Sequence, residues 1–333
     1  MKKVTLCIPL YNAEKTITRT LESILGQDYP IFKIKIFDNL STDRSKEMCM
    51  EFADLYPFIE VSANEKNLGP EGNFTKCIEN AEGDYCAIIH TDDLYEKDFL
   101  SRSIDVLEND KDCIATFCGA LEIDQDENVV GERFFPPELR TNEISFLTIN
   151  DLLSLVFKYA NFITCPSVVV RTEAYTQKIK FWNGEEFRSS ADLDVWLRLA
   201  EVGKVAAIRS HLMRYRLADV SYSYRIAKKR ITKHDLFLVL NKYQTRYAEI
   251  IDANMLEDFY FLELKDQALR NLNIIRNRLR DVCFPYEVDF KLSAVLKKMF
   301  SSKWHFKIGG SIIGIEIIVF FLVFLGWNKK CLK

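Results

Sequence analysis

Apolar residues follow two alternating rhythms along the first 119 residues. Val4 to Leu10 is an unbroken apolar run of strand length. Glu14 to Leu25 then places Ile17, Leu21, Ile24 and Leu25 on one face of a 3.6-residue helix. The alternation continues with strands over Lys33 to Phe37, Phe58 to Ser62, Tyr85 to His90 and Cys113 to Gly119. Between them lie helical patterns over Ser45 to Leu55, with Met48, Phe52 and Leu55 inward, over Gly72 to Ala81 and over Phe99 to Leu107. Strands alternating with helices of this length predict βαβ units, hence an α/β class with a doubly wound, mostly parallel, Rossmann-like sheet. Ligands of such sheets gather beyond the carboxyl ends of the strands. The polar clusters fall there: Tyr11-Asn12, Asp38-Asn39, Asn64 to Asn67 and Asp92-Asp93.

After Gly119 the pattern loosens. A helix is expected over Ile149 to Tyr159, a strand in "CPSVVVR", a helix over Ser189 to Gly203 and a strand in "KVAAIRSHLMRYR". From about residue 225 the chain reads as helical. The segment "IGGSIIGIEIIVFFLVFLGW", Ile308 to Trp327, is apolar apart from Glu316. A helix of roughly 20 residues reaches about 30 Å, the thickness of a bilayer core. Trp304, Trp327 and flanking lysines suit a membrane interface. A buried C-terminal helix, or one lying in the membrane plane, is the competing reading, and Glu316 favours it because a carboxylate at mid-bilayer is costly. These patterns divide the chain into a domain over 1–220, with halves at 1–119 and 120–220, a helical basic region over 221–307 and the apolar segment 308–327.

Composition narrows the classes. Of 333 residues 48% are hydrophobic, enough for a large α/β domain with added elements. A net charge of −3 excludes a generic nucleic-acid binder, which needs a basic excess. The nine cysteines form no Cys-x-x-Cys pair, and Cys7, Cys86 and Cys118 sit in apolar runs. They read as small core residues in a reducing compartment rather than a disulfide framework. The first apolar run is too short for a signal peptide. Four scattered histidines argue against a His-rich metal site. Between Lys265 and Lys307 ten Lys/Arg face four Asp/Glu, which suits an anionic membrane surface or a solvated helix face.

Adjacent carboxylates at Asp92-Asp93, straight after a buried strand, suit a hard divalent cation held against a diphosphate. The same residues could simply open a helix, where Asp is favourable. Ser41-Thr42-Asp43 could likewise be no more than an N-cap. The order of motifs is more telling than any one of them. "IPLYNAEKTITRTLESILGQDYP", "KIFDNLSTDRS", "NEKNLGPEGNF" and "AEGDYCAIIHTDD" follow one another in register with the βαβ pattern. This series closely resembles the nucleotide-binding half of family 2 glycosyltransferases, which have the GT-A fold. The resemblance is strong over Val4 to Asp98 and continues through "NFITCPSVVVR", "SSADLDVWLRLAEVG" and "LMRYR" to about residue 216.

The resemblance implies roles for particular residues. Pro9 and Tyr11 match a first-strand Pro-x-Tyr near the nucleotide base. Asp38 matches the leading Asp of an Asp-Asp-Gly-Ser-Thr-Asp motif that binds base or ribose. Asn67 and Gly69 match an Asn-x-Gly loop beside the nucleotide. Asp92 and Asp93 match the carboxylates that hold Mg²⁺ or Mn²⁺ and the donor diphosphate. Asp192 falls at the catalytic base, with Asp194 as its rival. Five positions depart from the pattern: His90 replaces the first Asp of Asp-x-Asp-Asp, Asn39 a second Asp, Leu40 a Gly, Ala191 the Glu that often precedes the base, and Ala218 a His. His90 could still touch the ribose. The expected activity is inverting, metal-dependent transfer of a hexosyl-type sugar from a nucleoside-diphosphate sugar to a hydroxyl of a glycan or lipid-linked glycan. The expected setting is bacterial envelope polysaccharide synthesis at the cytoplasmic face of the membrane, with 308–327 as anchor. On this reading 1–119 binds the donor and 120–220 the acceptor. Two other classes compete. A nucleotidyltransferase would need a glycine-rich basic loop after the first strand, where "PLYNAEKT" has no glycine. A degenerate, membrane-associated scaffold is suggested only by His90, Asn39 and Ala218.

Overall fold

A computed structural model of the chain describes residues 1–217, 229–277, 279, 283–299 and 303–324, with side chains omitted for 303–307 and 320–324. The chain divides into two compact units, Met1–Leu153 with Asn161–Ala218, and Ser154–Ala160 with Asp219–Lys333. Ala218, the last of the departures from the family pattern, lies outside the described residues.

The first unit opens with β1 (Val4–Leu10), α1 (Ile17–Leu25), β2 (Lys33–Asp38), α2 (Ser45–Leu55), β3 (Ile59–Ala63), α3 (Gly69–Glu79) and β4 (Tyr85–Ile88). Nearly every residue of β1 and β4 is buried, as strands covered on both faces must be. Ile17, Leu21 and Ile24 of α1 pack into the main core beside Leu6, Ile8 and Ile36. On α2 the buried apolar residue is Cys49, while Leu55, expected inward, is exposed at the helix end. Helix α3 starts earlier than its apolar pattern suggests because Pro70 fits the first turn. The turn into β4 uses Gly83 at φ 79°, where a Cβ would stand 2.8 Å from the Lys3 carbonyl oxygen.

There follow β5 (Leu94–Tyr95), α4 (Phe99–Asn109), β6 (Cys113–Ile123), β7 (Val129–Glu132), β8 (Ile144–Leu147), α5 (Ile149–Tyr159), β9 (Val169–Arg171), α6 (Gly184–Phe187), α7 (Ala191–Val202) and β10 (Lys204–Arg216). The strand order is β3-β2-β1-β4-β9-β6-β10-β5, with β7 on β6 and β8 on β10. Strands β1 to β4 pair in parallel, as does β10 with β6, but β9 runs antiparallel to both β4 and β6. The sheet is therefore mixed, not mostly parallel as the spacing predicts. The reason is local: β6 and β7 are joined by a short turn and must run antiparallel. β9 is entered from α5 through a 3₁₀ turn at Cys165–Ser167. Because β9 is reversed, the segment before it reaches the edge where β1, β2, β4 and β6 end.

The second unit contains α8 (Leu236–Arg246), α9 (Ala253–Arg276), α10 (Leu292–Met299) and α11 (Lys303–Phe324). Ile312 packs with Phe261, Leu264, Val295 and Met299, and Val319 with Ile274 and Phe284. Glu316 is 8% exposed and accepts a hydrogen bond from Asn271 Nδ2 at 3.2 Å. The apolar segment expected to cross a membrane thus forms part of a helix with one face packed against protein. Among the described residues no helix is long and apolar enough to cross a membrane; residues 325–327 lie outside them. The basic residues are partly internal too. Arg270 bridges Asp266 and Glu287, and Lys298 pairs with Asp258. Among the described residues seven cysteines are free, while Cys283 is disulfide-bonded, an exception to the reduced set expected.

Candidate functional site

The ends of β1 and β2 are stitched together by short polar side chains. Asn12, at φ 48°, accepts from the Thr42 N–H at 2.7 Å and donates its own N–H to Ser41 Oγ at 3.0 Å. Ala13 N–H donates to Ser45 Oγ at 2.6 Å. Asp38 is 2% exposed, and one of its oxygens accepts from Ser41 N–H at 3.0 Å. Beside it Tyr11 stands half exposed and Pro9 partly buried. Asn39 is the hub of the neighbouring loop. Its Oδ1 accepts from Leu68 N–H at 2.8 Å and from Asn64 Nδ2 at 3.0 Å. Its Nδ2 donates to Asn67 Oδ1 at 3.1 Å and to the Gly69 carbonyl at 3.2 Å. An aspartate could not make the last two bonds, because both partners are acceptors. Leu40 follows at φ 63°, a left-handed conformation that a glycine would adopt without strain. Pro9, Tyr11, Asp38, Asn67 and Gly69 therefore all lie along one edge of the sheet.

At the end of β4 the chain turns through His90, Asp92 and Asp93, each able to offer a ligand atom within 4.8 Å of the others. Asp93 is 1% exposed. Its Oδ1 accepts from Arg216 N–H at 2.9 Å, while Oδ2 is buried with no hydrogen-bond partner. Burial, then the Asp92 charge, pushes the Asp93 carboxyl well above the usual range. Burial also lowers the His90 imidazole, with Asp92 opposing. The charges of Arg133 and Arg216 only partly offset the burial of Asp93 beside Asp92, so this group fits a divalent cation. Arg216 is already committed: its guanidinium donates to the carbonyls of Asp92, Asp124 and Gln125 at 2.9 to 3.1 Å and pairs with Glu127. It therefore clamps the carboxylate loop to the turn after β6.

Asp192 sits in the first turn of α7 and is half-buried. Its Oδ2 accepts from Asn161 Nδ2 at 2.7 Å and its Oδ1 from Leu193 N–H at 2.8 Å. Burial raises its pKa to about 6 despite those two bonds. The Cys165 thiol, in the segment before β9, is pushed up by burial and then by the charges of Asp192 and Asp93. An aromatic file runs back from α7. Trp196 meets Trp182 edge-on at 5.8 Å, Trp182 stacks on Phe74 at 4.6 Å, and Phe74 tilts over His90 at 5.4 Å. One helical turn after Asp192, Trp196 thus ties α7 to the carboxylate loop. Asp194 is different. It is 2% exposed and bound by Arg198 Nε at 2.7 Å, and Arg198 also donates to the Ile179 and Phe181 carbonyls at 2.8 Å each. Sequence reasoning singles out neither Asn161, Phe74 nor Trp182. Asn161 does open the "NFITCPSVVVR" segment that carries part of the resemblance.

A carboxylate loop at the strand ends, with a raised carboxylate beside it on a mixed α/β sheet, defines a class that comparison makes definite. The model of glycosyl transferase family 2 matches residues 5–171, and the chain belongs to that family. TuaG of Bacillus subtilis (strain 168), a glycosyltransferase assigned provisionally to teichuronic acid biosynthesis, is 29% identical over 68% of this chain and 84% of its own. The Escherichia coli UDP-Glc:α-D-GlcNAc-diphosphoundecaprenol β-1,3-glucosyltransferase WfgD is 26% identical over 66% of this chain and 79% of its own. A crystal structure of S. aureus TarS 1–349 in complex with UDP has a TM-score of 0.54 at 18% identity, covering 84% of this chain and 88% of that one. That likeness shows the GT-A fold.

Proposed function

We propose that this glycosyltransferase moves a hexosyl-type sugar from a nucleoside-diphosphate sugar to an acceptor hydroxyl, with inversion, in assembly of a cell-envelope polysaccharide. The observation that carries the reading is the pairing of a raised carboxylate, Asp192, with the His90–Asp92–Asp93 group on one sheet edge. The donor's base and ribose lie against Pro9, Tyr11 and Asp38, and its remaining polar edge against Asn67 and Gly69. Asp92 and Asp93 would hold a divalent cation such as Mg²⁺ or Mn²⁺, which would supply positive charge against the departing diphosphate. Asp192, ionised at neutral pH, takes the proton from the acceptor hydroxyl as that oxygen attacks the anomeric carbon. Asn161 orients its carboxylate, and the aromatic file fixes the helix that carries it. A single in-line displacement inverts the anomeric centre.

The names of the relatives support the acceptor class. WfgD's name specifies a diphosphoundecaprenol-linked sugar, and by analogy the acceptor here is a lipid-linked glycan met at the cytoplasmic face of a membrane. A panel of nucleotide sugars, screened for thermal stabilisation with and without Mn²⁺, tests the donor reading. A donor present at a hundred times its Kd should add about 2.7 kcal/mol of stability. No stabilisation by any nucleotide sugar, with either metal condition, would remove the reading.

A further inference from the structure

We propose that His90 is itself a metal donor, and that the imidazole makes this site select Mn²⁺ or Co²⁺ over Mg²⁺; the inference rests on the transferase reading of the same site. His90 Nδ1 lies 3.8 Å from Asp93 Oδ2. That is too long for a hydrogen bond, and Asp93 Oδ2 has no hydrogen-bond partner although it is buried. His90 Nε2 is equally buried and unpartnered. Two polar side chains turned toward each other without bonding leave room for a shared third body. A cation with ligands at about 2.0–2.2 Å holds neighbouring donors roughly 3–3.5 Å apart. A shift of a few tenths of an ångström would close the pair on one ion, with Asp92 as third donor. The ring is held for this by Phe74, whose centroid lies 5.4 Å away.

The donor set decides which ion is favoured. Three carboxylates would offer a hard, triply charged oxygen site. Two carboxylates and a neutral imidazole offer less charge and one nitrogen. Mg²⁺ demands near-octahedral oxygen coordination and sheds water reluctantly. Imidazole instead favours later divalent ions, along the order Mn²⁺ < Co²⁺ < Ni²⁺. His90 therefore costs the site Mg²⁺ affinity and adds affinity for transition metals.

The test is metal binding by the full-length chain, read by electron paramagnetic resonance of Mn²⁺ with and without UDP. Wild type should bind Mn²⁺ and release it to Co²⁺ far more readily than to Mg²⁺. Pulsed measurement of the bound Mn²⁺ should show a coupled imidazole nitrogen. His90→Ala should lose that coupling and weaken Mn²⁺ by roughly 10-fold or more, at least the loss typical of an outer-shell partner. His90→Asp, which restores a carboxylate and serves as a second variant, should bind Mg²⁺ more tightly than wild type does. Bound Mn²⁺ without nitrogen coupling, and with unchanged affinity in His90→Ala, would overturn the donor role while leaving Asp92 and Asp93 as ligands. No Mn²⁺ binding under either condition would overturn the inference outright. Sugar transfer assayed in EDTA would then show whether the transferase reading survives alone.

Discussion

Asp192 and Asp194 lie two residues apart on one helix, yet their surroundings give them different chemistry. Asp194 is closed off by Arg198, so its carboxylate is spent on packing α7 against the chain before α6. Asp194→Asn should lower stability by about 1–3 kcal/mol, since it removes half of a largely buried pair. Denaturant unfolding measures this, and an unchanged midpoint would contradict it. Asp192 keeps a carboxylate raised to about 6. A base must be ionised to act, so transfer should rise with pH through that value and level off above it. The stability linkage runs the other way. A folded pKa above the unfolded one contributes stability at low pH, and that contribution is lost as pH climbs through about 6. Asn161 favours the ionised form by donating to it, so Asn161→Ala should move the pH–rate profile upward. A profile that stays in place would exclude Asn161 as the orienting group. The motif nominates Asp192 but gives no sign of Asn161. The two meet only because antiparallel β9 returns its leading segment to the site, and pairing direction is invisible in a local pattern.

At the scale of elements, the half-chain of alternating rhythms could be read almost strand by strand. Buried strands and amphipathic helices state their type in their apolar spacing. The second half was harder because its strands are short or joined by turns. β7 and β8 carry one buried residue between them, so they leave little apolar signature. The loop from Asn64 to Gly69 shows how departures from a family pattern can be compensated. Asn39 uses both ends of its amide, accepting from the 64–68 loop and donating to Asn67 and Gly69. Asn39→Asp would restore the family's residue yet face a carboxylate toward two acceptors. It should therefore destabilise by roughly 2 kcal/mol, about 1 for each lost bond. Thermal unfolding of that variant checks this, and a stability equal to wild type would show the hub to be incidental.

At the scale of the molecule, the C-terminal segment is where hydropathy alone misleads. An apolar run of membrane length and a helix buried on one face look alike in sequence. The discriminating residue was Glu316, which the structure buries against Asn271 with its pKa raised by burial. A raised carboxylate contributes stability at acid pH and loses it as pH rises through its folded value. Glu316→Gln keeps the shape and removes the titration. Its stability relative to wild type should therefore grow from pH 4 to pH 8, and a constant gap would show that Glu316 is not buried. The first unit carries every residue to which the proposed transfer gives a part, from Pro9 to Trp196. The sheet edge that gathers them is the central claim, and Asp192 is its sharpest point.

That claim is tested most directly by comparing wild type with Asp192→Asn for release of nucleoside diphosphate from whichever nucleotide sugar stabilises the protein. The exchange keeps size and can keep an accepting oxygen for one of the two donors, Asn161 or Leu193, but removes basicity. Donor binding should hold while release falls by about 10²–10⁴-fold. Release at the wild-type rate by Asp192→Asn, with donor binding intact, would contradict the account.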